Sequence, residues 1–148
     1  MANNSLEIIE NESKQYIVVM IGNEQYGIDI SYIDNIVRMQ KITRVPKIQS
    51  YFKGIINLRG EIVSVMSIRK KMGLDDDVFT NASRIIILKL EEKGALGIIV
   101  DEVKEVVNLS DEEIERTSKK GEFINGIGKH GEGLISLLEI NAIVEETI

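Results

Sequence analysis

The chain contains no cysteine, no tryptophan, one proline and one histidine. Without cysteine it has no disulfide framework, no thiolate nucleophile and no Cys-based zinc site. A lone His130 excludes a multi-histidine metal centre and leaves little for histidine-based acid–base catalysis. Three Phe, four Tyr and no Trp remove the usual stacking platform for single-stranded nucleic acid. Basic charge is short as well: 18 Lys and Arg stand against 24 Asp and Glu, a net charge of −6. That is the wrong sign for phosphate neutralisation or a polybasic membrane anchor. The opening MANNSLEIIENES lacks the basic start and apolar core of a signal peptide. No apolar run approaches the roughly 20 residues of a membrane span. The expected setting is cytoplasmic.

What is present suits a soluble globular protein. At 148 residues, 43% hydrophobic and 28% charged, the chain can bury a real core as one compact domain or two very small ones. Residues 1–14 are polar and read as a flexible N-terminus. QYIVVMI (15–21), the turn GNEQ and the alternating YGIDI (26–30) predict a first hairpin. SYIDNIVR (31–38) spaces Ile33, Ile36 and Val37 at three and four residues behind Ser31, which predicts one or two helical turns. MQKITRV (39–45) alternates as a strand and stops at Pro46. GIINLRGEIVSVMSI (54–68) is a second hairpin with Arg59 at its turn. LDDDVFTNAS (74–83) reads as a polar connector. RIIILKL (84–90) and ALGIIVDEV (95–103) make a third hairpin. Ser110 and Glu113 have capping-box spacing before a short helix, 118–122 is a loop, FINGIG and GLISLLEI make a last hairpin, and LLEINAIVEETI closes as a helix.

The chain repeats itself. IVVMIGNEQYGIDI has the form of IIILKLEEKGALGIIV, and IVSVMSI that of LISLLEI, each preceded by FKG or FING. Two such runs of about five strands predict an all-β fold of two packed five-stranded barrels of the SH3/OB type, with a short C-terminal helix. The repeat divides the chain into 15–80 and 81–148, with exchange of strands between the halves left open. A groove is expected along the seam.

Catalytic patterns are weak. Gly126–Gly131 matches GxGxxG but is followed by a strand pattern, so it reads as a glycine-rich hairpin turn and not a nucleotide loop. Asp75–Asp77 lacks the alternating ligands of a calcium loop and reads as a solvated linker. His130 sits in the glycine turn with no partner acid at helical spacing. No nucleophile, base and orienting group converge, so neither an enzyme nor a metal or cofactor site is expected. A small barrel that binds nucleic acid is the alternative; it needs a basic, aromatic-bearing strand face, which the sequence lacks.

YGIDI, FKGIINLRGEIV, LGIIVDEV and FINGIG with GLISLLEI, in that order over roughly residues 15–145, resemble the CheW family of chemotaxis coupling proteins. The resemblance implies two five-stranded barrels and a signalling adaptor without catalysis. Its implied partners are the cytoplasmic tips of methyl-accepting chemoreceptors and the regulatory domain of the histidine kinase CheA. The protein would be monomeric in solution, would join membrane-associated arrays through those partners, and would neither insert in the membrane nor bind nucleic acid. By position, the resemblance places Arg59 beside a groove that takes the receptor helix, with Ile33, Asn35, Ile36, Gly54, Ile62 and Ile99 lining or bordering it. Asn35 stands where many members carry a glutamate able to pair with that arginine. Met39, Ile42 and Arg44 of MQKITR, and Lys120 at the opposite end, are the candidates for kinase contact. The plain alternatives are core burial for Ile33, Ile36, Ile99, Met39 and Ile42, a backbone requirement for Gly54, and a solvated turn for Arg59.

Overall fold

The alternating β-branched runs lay down eleven strands among the described residues. The structure is a computed structural model and describes residues 13–46, 48–91, 94–117 and 123–145. Strands β1 (Lys14–Ile21) and β2 (Glu24–Asp29) form a hairpin, and one 3-10 turn leads to β3 (Ile33–Arg38). The hairpin of β4 (Phe52–Leu58) and β5 (Glu61–Ser67) runs into helix α1 (Ile68–Lys71). The third hairpin is β6 (Arg84–Leu90) with β7 (Gly94–Val100), continued by β8 (Glu102–Leu109) and β9 (Ile114–Arg116). Last come β10 (Ile124–His130), β11 (Gly133–Leu138) and helix α2 (Ile140–Val144).

Two sheets result, ordered β8-β1-β2-β11-β10-β9 and β3-β6-β7-β5-β4. Neither belongs to one half of the chain. The first hairpin pairs in parallel with β11 of the second half, at Tyr26–Ser136 and Gly27–Leu137. In the same way β7 pairs in parallel with β5 of the first half, from Ser64–Leu96 to Ser67–Ile99. Each half therefore lends its leading hairpin to the other. The repeat of about 70 residues extends to irregularities: bulges interrupt β3–β6 and β1–β8, and again β4–β5 and β10–β11, at matching places. The first sheet has six strands where five were expected, because Ile114–Arg116 pairs with β10.

Exchange creates three cores. Tyr16, Val18, Val107, Leu109, Ile135 and Leu137 fill the concave side of the first sheet. Ile56, Val63, Val65, Ile85, Ile87 and Ile99 do the same for the second. Between the sheets lie Ile17, Val19, Ile28, Met66, Ile68, Ile86, Leu88, Ile98, Ile140 and Ile143. Strands β1, β6 and β7 are thus buried on both faces, which is why they read as continuous apolar runs. Burying each such side chain contributes about 1.5–3 kcal/mol.

Three local expectations change. Residues 33–38 are strand, not helix. The bulge between Ile33 and Asn35 puts Ile33 and Ile36 on the inter-sheet face while Val37 points to the barrel core, so a bulged strand reproduces helical spacing. The expected strand 39–45 shrinks to one bridge, Thr43–Ile55, at the place β9 takes in the second half. Gly126 and Gly128 lie within β10, and only Gly131, at φ 60°, forms the turn. The acidic connector is also less solvated than expected. The Asp77 side chain is only 1% exposed, its carboxylate accepting from Ser67 Oγ, while Asp76 takes Lys53 and Lys70. Burial pushes the Asp77 carboxyl up, against the pull of Ser67 and Lys53.

Gly54 is a backbone requirement. Its φ is 139°, and a Cβ there would overlap the Thr43 carbonyl, 2.7 Å from its carbon. The two backbone bonds between Thr43 and Ile55, each 2.8 Å, need that approach. Gly126, its counterpart, has no positive φ, and its Cβ would meet an Ile114 methyl at 3.0 Å. Gly54→Ala is expected to destabilise by about 3 kcal/mol or more, and Gly126→Ala by clearly less, in urea unfolding. Equal losses would mean that the Thr43 contact is not what selects glycine.

Asp101, between β7 and β8, ties the sheets together. Its carboxylate accepts from Arg69 Nε at 3.1 Å, from Arg69 Nη2 and from the Gly22 N–H at 2.8 Å. Burial opposes its ionisation, but these bonds outweigh that and hold the carboxyl below its usual range. Because the folded value is depressed, the stability Asp101 brings is complete above the unfolded value of about 4 and is lost as pH falls through the folded value. Asp101→Asn is therefore expected to lower stability at neutral pH and to flatten its fall below about pH 4. An unchanged acid limb in urea titrations would remove Asp101 from the linkage.

Candidate functional site

The turn of the second hairpin is the first feature of the site. Arg59 and Gly60 have φ of 56° and 86°, the pattern of a type I′ turn, and Asn57 Oδ1 accepts from the Gly60 N–H at 2.9 Å. Among the described residues Arg59 is the only non-glycine with positive φ. An L-residue in that region costs about 1–2 kcal/mol, and Gly131 holds the matching place in the other half without it. The arginine is exposed and makes no ion pair or hydrogen bond among the described residues. Its conformation is fixed and its guanidinium is uncommitted.

Next to it, Ile62 is 59% exposed. It lies on the strand face that Met66 buries between the sheets, so it marks where the seam opens to water. Parallel register sets Ser64 beside Leu96, which lies beside Leu88, which lies beside Ile33. Ile33, Ile36 and Ile62 thus share one face and one sheet. Ile33 and Ile36 are half-buried there, against the inter-sheet core. Asn35 is half-buried, and its Oδ1 accepts from the Ile36 N–H at 2.8 Å and not from Arg59.

Other candidates fall elsewhere. Ile99 is 1% exposed and faces the second barrel core, away from the seam. Gly54 is buried against Thr43. Met39 and Ile42 are half-buried against that same barrel core. Arg44 is exposed and borders a cleft of about 430 Å³ with Val45, Ile48, Phe52, Lys53 and Lys70. Lys120 lies outside the described residues.

A groove was expected along the seam, but none of the residues that line the cleft found there was singled out as a site residue. A cleft of about 1130 Å³ opens between the sheets, lined by Ser31, Tyr32, Lys89, Leu90, Glu139 and Asn141 among others. It joins the β2–β3 link, the end of β6 and helix α2, at the same end of the second sheet as the Arg59 turn. The only sequence signal for it is negative: Ser31 and Asn141 stand where the other half has Asp101 and Arg69. Among the described residues no group of three or more His, Cys, Asp or Glu could hold a metal. No helix there is long and apolar enough to cross a membrane.

The family model for the CheW-like domain matches residues 15–147. A chemotaxis protein CheW of Bacillus subtilis is 31% identical over 138 residues, spanning 90% of this chain and 88% of that one. One from Klebsiella aerogenes is 29% identical, spanning 91% and 84%. The crystal structure of scaffolding protein TtCheW from Thermoanaerobacter tengcongensis superposes with a TM-score of 0.81 at 32% identity, over 89% of this chain and 92% of that one. With two hairpin-exchanged sheets and a match across nearly its whole length, this chain belongs to the CheW-like family of chemotaxis proteins.

Proposed function

We propose that the chain is a non-enzymatic adaptor that joins the cytoplasmic tips of chemoreceptors to the regulatory domain of the histidine kinase CheA. It would work at the cytoplasmic side of receptor arrays, recruited through those partners. Family membership supports the chemotaxis role, and the Arg59 turn carries the site. An exposed, unpartnered arginine kept in a costly conformation beside an open apolar seam is the kind of local strain that function retains. An amphipathic receptor helix would lay its apolar face along Ile62 and Ile33, with Arg59 bonding its polar edge. Receptor state then biases the kinase through differential contacts, with no chemistry in the adaptor.

For the kinase we propose the end of the second sheet that carries Arg44, where Val45 and Ile48 are exposed at 38% and 40%. Met39 and Ile42 would support that surface from beneath, since their side chains already pack inward.

The test is ATP turnover by CheA in receptor-bearing membranes, with and without this protein. Arg59→Glu is expected to cut the stimulated turnover about tenfold, a loss of roughly 1.4 kcal/mol, with unfolding unchanged or improved. Arg59→Asn suits the turn better and is expected to raise stability by about 1 kcal/mol while still weakening coupling. If both variants couple normally, Arg59 has no part in receptor contact. For the second surface, Arg44→Glu is expected to weaken CheA capture while receptor capture persists. A loss of both would indicate a folding defect in place of a contact.

A further inference from the structure

Residues 74–83 join helix α1 to β6 and so link the two halves of the repeat. A link needs only reach, but this one is fixed in place. It crosses one end of the second sheet, where β3 finishes at Arg38, β6 starts at Arg84, β7 finishes at Val100, β5 finishes at Ser67 and β4 starts at Phe52. Before Val78, the Asp77 side chain is 1% exposed, and its carboxylate accepts from Ser67 Oγ. That same hydroxyl caps helix α1 by accepting from the Lys70 N–H at 3.2 Å. After Phe79, residues 80–83 close a turn: the Ser83 N–H donates to Thr80 O at 3.1 Å and the Thr80 N–H to Ser83 Oγ at 2.9 Å. Arg84 Nη1 donates to Asn81 O and to Ser83 O, each at 2.8 Å, so its guanidinium lies on that turn. Between these two anchors Val78 and Phe79 stand 76% and 51% exposed.

Fixing this knuckle costs stability. Asp77 Oδ1 is buried with no hydrogen-bond partner among the described residues, which leaves the desolvation of that oxygen uncompensated. Arg38 and Arg84 lie directly opposite each other, an unfavourable cross-strand pair, and neither has a carboxylate partner among the described residues. Of the link's own acids, Asp76 is matched by Lys53 and Lys70, Asp77 is buried, and Asp75 is exposed. Single exposed apolar side chains are ordinary. Two adjacent ones, held between a buried carboxylate and a bonded turn and edged by unpaired arginines, have the make-up of a preorganised hot spot.

We infer that Val78 and Phe79 are the apolar anchor of the surface that meets the kinase, entering an apolar pocket on CheA whose rim offers carboxylates to Arg38 and Arg84. This rests on the reading that gives the kinase the end of the second sheet carrying Arg44. The two features are continuous: the Thr43–Ile55 bridge runs Arg44 toward Lys53, and Lys53 holds the link through Asp76. The cationic rim selects the occupant. A two-fold second copy would bring one such rim against another, whereas a partner with an acidic rim is drawn to it. The Arg59 turn lies at the opposite end of the same sheet, so receptor and kinase can be held at once.

The test is the affinity of the full chain for full-length CheA by calorimetry, beside unfolding in urea. Phe79→Ala is expected to weaken binding about tenfold or more, and Val78→Ser by less, with the urea midpoint unchanged because both side chains are exposed. Arg38→Glu is expected to weaken binding and to flatten its dependence on salt. Arg44→Glu reports on the end as a whole. If Arg44→Glu weakens binding while Phe79→Ala and Val78→Ser bind normally, the anchor is overturned and the kinase reading stands. If all four variants bind normally, the kinase does not use that end and the anchor falls with it. Normal CheA binding with self-association altered by Phe79→Ala in sedimentation would give the knuckle to a second copy and overturn the inference. Loss of receptor capture in both Phe79→Ala and Val78→Ser would overturn it too, since the Arg59 end should not feel either change.

Discussion

The two parallel seams, β2 on β11 and β7 on β5, are the constraint on which the molecule depends. Each joins a hairpin from one half of the chain to the sheet of the other. Remove either and a sheet loses its centre, because the borrowed hairpin lies between the remaining strands. The inter-sheet core follows from the same exchange, since β1, β6 and β7 must bury both faces. Gly27 and Gly97 mark how tightly these seams close. A Cβ on the first would come within 2.8 Å of Leu137 across the β2–β11 seam, while on the second it would lie 3.5 Å from Val65 across the β7–β5 seam and 2.8 Å from Ile85 of its own hairpin.

The site grows out of that arrangement by default and by exception. Exchange packs the middle of the seam and leaves its ends to water. At one end Arg69 and Asp101 seal it. At the other, Ile62, Ile33 and the cleft by Tyr32 stay accessible. The Arg59 turn then projects from the β4–β5 hairpin at the open end, held by the Asn57 bond and paying in conformation for its position. Symmetry of backbone with asymmetry of side chain gives one binding edge where a perfect repeat would give two.

Much of this was legible in the sequence, for definable reasons. Strands β1, β2, β4–β7, β10 and β11 follow from apolar runs and turn residues, which are local signals. The repeat was visible because β5 and β11, and β1 and β6, keep the same pattern. What it could not convey was partnership: nothing local says that YGID pairs with GLIS of its own repeat's counterpart. β8 was missed because EVKEVVNL carries charges along its outer face and only Val107 and Leu109 are buried. The helix expected at 31–38 failed because a bulge in an edge strand with half-buried residues on both faces mimics a spacing of three and four. At the site, Arg59 could be placed at a turn by its neighbours Asn57 and Gly60, whereas its left-handed backbone and its lack of contact with Asn35 could be seen only in three dimensions. For Ile99 the core reading, the plain one for an apolar residue in a central strand, agrees with its place in the second barrel core.

Exchange of hairpins also dictates the order in which the chain can become a protein on the ribosome. The first hairpin is made well before the strand that flanks it, since β11 follows β2 by roughly 100 residues. At 5–20 residues per second, IVVMI and its partner strand wait roughly ten seconds with both apolar faces uncovered. The second sheet has no such delay, for β3 to β7 form one continuous stretch and can close first. The second sheet is then the template on which the inter-sheet face of the early hairpin rests until its own sheet is complete. Synthesis runs along the chain in order, whereas the strand order allows the second sheet to close before the first.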